Sequence, residues 1–179
     1  MNTNEEVLVK LLEYKVQNDL PAKLVAVQSE WAAIHTIGTV TLAADVIVGF
    51  ETTIPEIIIS GWDAISDDEL LERIDSFPCA FCFVSQITPV SIYEQADSDQ
   101  LQFLAGIKIV DQGTSRSILE KKVYRFTHAV YDMMREDPFL SGSGWSVQDI
   151  SKYYSATTPS QPLIKAGMVS FNVTMASVS

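Results

Sequence analysis

The sequence has few of the residues that most chemistry at a protein site requires. It contains two histidines and two cysteines in 179 residues. It has no Gly-rich phosphate loop, no H-E-x-x-H and no G-x-S-x-G motif. No nucleophile and base can be paired from the sequence, and two histidines leave few groups for acid–base work. The sequence therefore favours a protein that is not an enzyme, and it predicts neither a cofactor nor a metal site.

Basic residues are also scarce. Lys and Arg together number 12 against 23 Asp and Glu, which gives a net charge of −11. Because nucleic-acid affinity comes largely from basic side chains, this balance argues against a surface that grips phosphates. No apolar run approaches the roughly 18 residues of a spanning helix. Residues 1–6 lack the basic and apolar regions of a signal peptide. We therefore expect no membrane partner and synthesis in the cytoplasm.

The two cysteines, Cys79 and Cys82, have the C-x-x-C spacing of redox proteins. They lie in a short apolar run typical of a buried strand, where residues three apart point to opposite faces. Structural zinc needs about four ligands, and the only other soft candidates are His35 and His128. The pattern predicts two buried structural thiols. A small cytoplasmic redox protein that uses Cys79 and Cys82 is the alternative from another class.

The clearest signal in the sequence is a long amphipathic helix over residues 116–136. Ser115 can cap its start, and Pro138 ends it. Strands are predicted before it at 101–110 and after it at 144–155 and 163–175. Apolar residues recur along the helix at steps of three and four and share one face: Ile118, Leu119, Val123, Phe126, Val130, Met133 and Met134.

A second stripe on the same helix consists of Tyr124, His128 and Tyr131. A helix that lies on a sheet needs only one apolar stripe, so two stripes indicate that it is covered twice. The second cover is either the N-terminal helix pair of the same chain or a neighbouring subunit. The pattern makes Tyr124, His128 and Tyr131 a candidate subunit interface.

The remaining segments complete a single α+β domain over residues 1–179. Residues 1–35 are expected to form a helix pair, with a cap at Thr3 and a break at Pro21. This pair is the intramolecular candidate to cover the second stripe. The segment 86–100 has no periodicity and is expected to be a long acidic loop. Shorter elements are predicted as strands within 39–50, at 56–60 and at 79–85, and as a helix at 66–75.

Several segments together resemble the tail terminator and tail-completion proteins of tailed bacteriophages. The similar features are a strand, a long helix with a Val-Tyr-Arg-Phe segment, a glycine-bearing link and two closing strands. Pro55, the Ile57 run, Leu70-Leu71 and Pro78 resemble the middle section of the family. The likeness covers residues 54–175 and is carried mainly by 106–113, 119–126, 129–134, 145–150, 153–155 and 165–173.

This resemblance implies a twisted mixed or antiparallel sheet on which the long helix and the N-terminal helices pack. It also implies a structural virion protein, a tail terminator that forms a ring, usually a hexamer, at the head-proximal end of the tail tube. The expected partners are further copies of the chain, the tail tube protein and the head–tail connector protein. Genome DNA would pass through without specific binding, past a lumen kept acidic by the net charge. A head-completion or neck adaptor, or a minor tail protein, is the alternative within this class.

Overall fold

The first two elements are helices, α1 (Asn4–Asn18) and α2 (Leu20–Ala32). The computed structural model describes residues 4–57, 76–90, 100–159 and 161–175. Pro21 lies in the first turn of α2, where a missing N–H costs nothing, as the sequence predicts. The predicted cap at Thr3 lies outside the described residues. The expected N-terminal helix pair is confirmed.

A hairpin and a five-stranded sheet follow. The hairpin joins β1 (His35–Ile37) to β2 (Val40–Leu42). The sheet has the order β3-β4-β5-β7-β6, in which β3 and β4 are parallel and all other neighbours are antiparallel. Its strands are β3 (Glu56–Ile57), β4 (Cys79–Val90), β5 (Gln100–Gly113), β6 (Trp145–Tyr154) and β7 (Leu163–Met175).

The long helix α3 (Arg116–Glu136) connects β5 to β6 and ends at Asp137, before Pro138. Six of the seven predicted core residues are buried, but Ile118 is exposed. That part of the prediction is wrong because Leu119 takes the core position in this turn, and Ile118 points about 100° away from it around the helix. Ser115 occupies the cap position, but its side chain makes no capping hydrogen bond. Its backbone carbonyl instead accepts the N–H of Leu119.

One face of the sheet carries the helices, and the main core lies between them. α3 contacts β5, β7 and β6, α1 contacts β4 and β3, and α2 packs on both helices. The side chain of Thr127 sits directly above Gly167 of β7, where a Cβ atom would collide with it. The predicted α+β class is confirmed. The core side chains that are fully buried include Leu8, Leu12, Phe50, Phe103, Ile107, Phe126 and Phe171.

The predicted loop 86–100 is wrong at both ends. β4 continues to Val90 and β5 begins at Gln100, with Pro89 paired to Leu101. Among the described residues, β3 pairs with β4 only as far as Ala80, so the one described neighbour of β4 at Pro89 is β5. Pro is tolerated at strand positions whose N–H is not needed for pairing. Residues 91–99 lie outside the described residues, as do the predicted helix at 66–75 and the predicted strand beyond Ile57.

A bulge divides β6 into two halves. Gln148 pairs with Asn172, whereas Ser151 pairs with Ser170, so two residues of β6 face one residue of β7 and β6 carries one extra residue. Asp149 has a φ of 53°, a left-handed conformation that Asp adopts more readily than most residues. The bulge reverses the alternation of β6 after that point. Residues that would otherwise face away from α3 are turned towards it.

Candidate subunit interface

The three residues of the second stripe lie on the side of α3 that faces β6. The ring of Tyr124 meets the ring of Tyr154 edge-on, with centroids 4.8 Å apart and planes at 90°. This geometry is favourable for an aromatic pair. Tyr124 nevertheless remains 45% exposed, and Tyr154 is exposed as well. The contact with β6 covers only one edge of the stripe.

Tyr131 is held between two cations. The Nζ atom of Lys152 lies 4.6 Å from the centroid of its ring, and the guanidinium carbon of Arg135 lies 5.8 Å from it. A cation at these distances is attracted to the face of an aromatic ring. Arg135 also lies 3.2 Å from the carboxylate of Asp132. The surface near Tyr131 therefore carries positive charge on a chain whose net charge is −11.

His128 lies between the two tyrosines and is half-buried. Its Nε2 atom is 3.4 Å from Oδ2 of Asp132, one helical turn further on. Its Nδ1 atom is buried and has no hydrogen-bond partner among the residues that the structure describes. The surroundings of His128 provide an acid partner on its own helix but no nucleophile. His128 acts here as part of the surface of α3.

α2 covers a different arc of α3 from the one that carries the second stripe. Arg125 is buried there, with its guanidinium 3.0 Å from the carboxylate of Asp45 and 4.9 Å from the ring centroid of Trp31. It also reaches Gln28 of α2 at 3.5 Å. Burial lowers the pKa of Arg125, and the charge of Asp45 opposes that shift. Lys23 forms a further ion pair with Glu136 at the end of α3.

These contacts decide between the two covers expected for the second stripe. The N-terminal helix pair does not cover Tyr124, His128 and Tyr131, so the intramolecular prediction is wrong. The reason is that α2 binds an arc of α3 about 100° away, through Arg125 and Glu136 rather than through the aromatic stripe. The stripe keeps a partly open surface beside β6. The open surface formed by Tyr124, Tyr131, Lys152 and Tyr154 is called the β6 flank below.

Two members of the β6 flank are absent from the sequence prediction. Lys152 and Tyr154 pair with Val169 and Gly167 of β7, and the latter residues face α3. The bulge at Asp149 brings them to that side of the sheet. The available signal was an Asp inside a strand, a residue that is uncommon in strand interiors and tolerates a left-handed conformation.

A buried lysine contacts the β6 flank from the sheet side. Lys165 of β7 is buried, and its Nζ atom donates a hydrogen bond of 2.9 Å to the carbonyl of Ser155. The same atom lies 5.2 Å from the centroid of the Tyr124 ring. Burial raises the pKa of Tyr154, and neighbouring Tyr124 adds to this shift. The tyrosines are therefore fixed in position from the sheet side while their outer faces meet solvent.

The two cysteines are buried free thiols, as the sequence predicts. Cys79 lies opposite Val110 and Cys82 opposite Ile107, so they occupy opposite faces of β4. Burial raises the pKa of Cys79 to about 12, with a further contribution from the charge of Asp111. Burial also raises the pKa of Cys82. Because the thiolate is the reactive form, these shifts argue against redox chemistry at this pair.

Among residues 4–57, 76–90, 100–159 and 161–175, no three His, Cys, Asp or Glu side chains converge as metal ligands would. None of the helices described there has both the length and the apolar composition needed to cross a membrane. No family model matches the sequence, and no curated protein matches it. The β6 flank is the feature of the described structure that best fits a functional surface.

Proposed function

We propose that the protein is a structural virion protein, a tail terminator that assembles into a ring on the tail tube of a bacteriophage. The observation that carries the proposal is the β6 flank. It presents two partly open tyrosines, Tyr124 and Tyr131, and the cation Lys152 beside an edge strand of the sheet. Protein interfaces favour aromatic residues at their centre and polar residues around the rim. The sequence resemblance over 54–175 gives this interface its proposed setting.

The geometry of a ring requires two different surfaces on each subunit, because a head-to-tail contact repeats by rotation until it closes. The β6 flank supplies one of them. In the proposed ring, which the resemblance suggests is a hexamer, Tyr124, His128 and Tyr131 contact the next subunit. The ring would stop tube growth and join the tail to the head–tail connector protein in the virion.

The net charge also has a role in this proposal. Each subunit contributes −11, and an acidic channel repels the phosphates of a passing genome. DNA would therefore move through the ring without binding to it. A channel lined with basic side chains in the assembled ring would contradict this part of the proposal.

The test uses the purified protein and the tail tube protein encoded with it. Tubes are allowed to polymerise with and without the protein, and their lengths and ends are measured by negative-stain electron microscopy. We expect shorter tubes that carry a ring at one end. Tubes that keep growing and carry no ring would contradict the tail terminator function. A ring that instead binds only the connector protein would indicate a neck adaptor.

A further inference from the structure

An uncharged hairpin projects from the domain next to α3. The backbone N–H of Asp45 donates a hydrogen bond of 2.8 Å to the carbonyl of Trp31, which closes the base of the segment between them. Residues 32–44, called the arm below, contain no Asp, Glu, Lys or Arg. Every residue of the arm except His35 is exposed. Ile37 is 68% exposed, and Ile34, Val40 and Leu42 are exposed as well.

The arm is a built feature and not an irregular loop. β1 and β2 pair in register, with Ile37 opposite Val40 across the two-residue turn Gly38-Thr39. Gly38 has a φ of 61°, which suits the first central position of a type II′ hairpin turn. At the base, the Asp45 carboxylate lies 2.8 Å from Lys121 and 3.0 Å from Arg125 of α3. Ion pairs therefore fix where the arm leaves the domain.

The arm has apolar side chains with no cover and strand edges with no partner in the described part of the chain. An exposed strand edge of this kind readily pairs with another strand. The same chain offers a matching surface. In the sheet formed by the described strands, β6 stands last and pairs with β7 alone, and the tyrosines of the β6 flank lie along it.

The arm and the β6 flank adjoin different arcs of α3. Arg125 at the base of the arm and Tyr124 on the flank are consecutive residues, so their side chains diverge by about 100° around the helix. Each copy thus carries two different surfaces, which a head-to-tail ring requires.

The charges on the two sides complement each other. Glu30 is exposed at the base of the arm and forms no ion pair within the described residues, and the same holds for Lys152 on the β6 flank. The arm itself is neutral, so two copies that each carry −11 can approach through it without like-charge repulsion. A second copy of the chain is therefore the occupant that the charges favour.

We propose that the arm of one copy adds along the free edge of β6 of a neighbouring copy, with Glu30 facing Lys152. The inference rests on the self-assembly described under Proposed function and supplies the second surface of that contact. Main-chain hydrogen bonds between the strands would give the contact its direction. The apolar residues of the arm would cover the open faces of Tyr124 and Tyr154.

The first part of the test compares two single substitutions. Ile37→Asp places a charge in the arm, and Ile118→Asp places one at a comparably exposed apolar residue on α3, outside both surfaces. Oligomer formation is measured by analytical ultracentrifugation, and folding is checked by circular dichroism. We expect Ile37→Asp to weaken association about tenfold or more, because it buries a charge at the contact. Ile118→Asp should associate like the wild type.

The second part asks which surfaces meet. One preparation carries Thr41→Cys in the arm and another carries Ser151→Cys on β6, and a short bis-maleimide reagent is added to each alone and to their mixture. Both native thiols are buried and should not react. We expect cross-linked dimers in the mixture only. Cross-linking of Thr41→Cys alone would show that arm meets arm and would overturn the head-to-tail contact.

The outcomes separate this inference from the proposed function. If the wild type assembles and Ile37→Asp assembles equally well, the arm is not the contact and the inference fails while the ring survives. If Ile37→Asp leaves the oligomer intact but abolishes binding to the tail tube protein, the arm serves another partner and the inference also fails. If the wild type remains a monomer, both the inference and the ring proposal fail.

Discussion

The two sides of α3 are built from different chemistry, and the more polar side is the one that is closed. On the α2 side, Arg125 is buried with Asp45, Gln28 and Trp31, and an intramolecular helix covers it. On the β6 flank, Tyr124 and Tyr131 are partly open to solvent. The face of a helix that packs against another element is normally the face with the larger apolar area. Here the ion pairs and the cation–aromatic contact select the α2 side.

Under the proposed function, the two sides have different roles. The α2 side brings together residues far apart in sequence and holds the fold, so substitutions there should lower stability. The β6 flank has its tyrosines fixed from below by Lys165 and Lys152 and adds little further burial. Substitutions on the flank should leave folding almost unchanged and affect association.

Arg125→Ala should cause the largest loss of stability. The substitution removes a side chain that is only 4% exposed, together with its contacts to Oε1 of Gln28 and to the ring of Trp31. We expect the free energy of unfolding to fall by about 3 kcal/mol, because a buried side chain that packs on Trp31 is lost together with its ion pair to the partly exposed Asp45. Chemical denaturation measures this value. Lys121→Ala also removes a partner of Asp45, but from an exposed side chain, and should cost under about 1 kcal/mol. Equal losses of unfolding free energy in Arg125→Ala and Lys121→Ala would contradict the stabilising role assigned to the buried Arg125.

Lys15→Met should have a smaller effect, and that effect should depend on pH. The Nζ atom of Lys15 lies 2.7 Å from Asp137 and 2.9 Å from Asp19, with the lysine side chain 4% exposed. Burial opposes the charge of Lys15, but the hydrogen bonds to the two carboxylates outweigh it and raise its pKa. We expect a loss of about 1–2 kcal/mol near neutral pH, since both carboxylates keep access to water.

The sign of the pH dependence follows from the two pKa shifts. Burial opposes the charge of Asp137, but hydrogen bonds from Lys15 and Ser141 outweigh it and lower its pKa below the usual 3.8. Its contribution is therefore present above pH 3.8 and is lost as pH falls through the lowered value. The contribution of Lys15 is present below its usual pKa of 10.5 and is lost as pH rises through the raised value. The difference between wild type and Lys15→Met should be constant between these limits, and urea titrations at several pH values would measure it.

Tyr131→Asp should barely affect folding but should weaken assembly. The tyrosine packs partly against the core, but it also lies between Lys152 and Arg135, so an introduced carboxylate would have two cations beside it. We expect a change in the free energy of unfolding of under about 1 kcal/mol. Native mass spectrometry should show fewer assembled subunits than for the wild type. An intact ring from this variant would contradict the role of the β6 flank.

Cys79 and Cys82 should resist alkylation in the folded protein. Both are buried, and with a pKa of about 12 the thiol of Cys79 stays protonated at pH 8. We expect iodoacetamide to label neither cysteine until denaturant is added, as followed by mass spectrometry. Fast labelling in the native state would instead support the redox alternative.

Much of the fold could be predicted from the sequence because its strongest signals are local. The boundaries of α3 follow from an apolar stripe and from Pro138, and β7 follows from strict alternation. The end of β4 could not be predicted because Pro89 and polar neighbours resemble a loop. The pairing of Pro89 with Leu101 of β5 is what shows that the strand continues there. Short apolar segments such as the arm have too few residues for a period to be recognised.

The candidate site was predicted only in part. Tyr124, His128 and Tyr131 were found because helical spacing places them on one stripe. The sequence leaves their cover open between the N-terminal helices and a neighbouring subunit, since apolar area alone does not reveal that Arg125 and Glu136 attract α2 to a different arc. Lys152 and Tyr154 were missed because a bulge at Asp149 decides which way they point. The position of a bulge depends on pairing with β7, which sequence alone does not show.

The most direct test of the central claim, that this chain functions by assembling with copies of itself, is the native mass of the purified wild-type protein. Native mass spectrometry over a range of concentrations should show one closed oligomer whose mass is a whole multiple of 19.8 kDa. The account predicts that this species, and not a ladder of sizes, dominates at high concentration, because a head-to-tail contact that closes leaves no free surface. A protein that remains at 19.8 kDa at every concentration would contradict it.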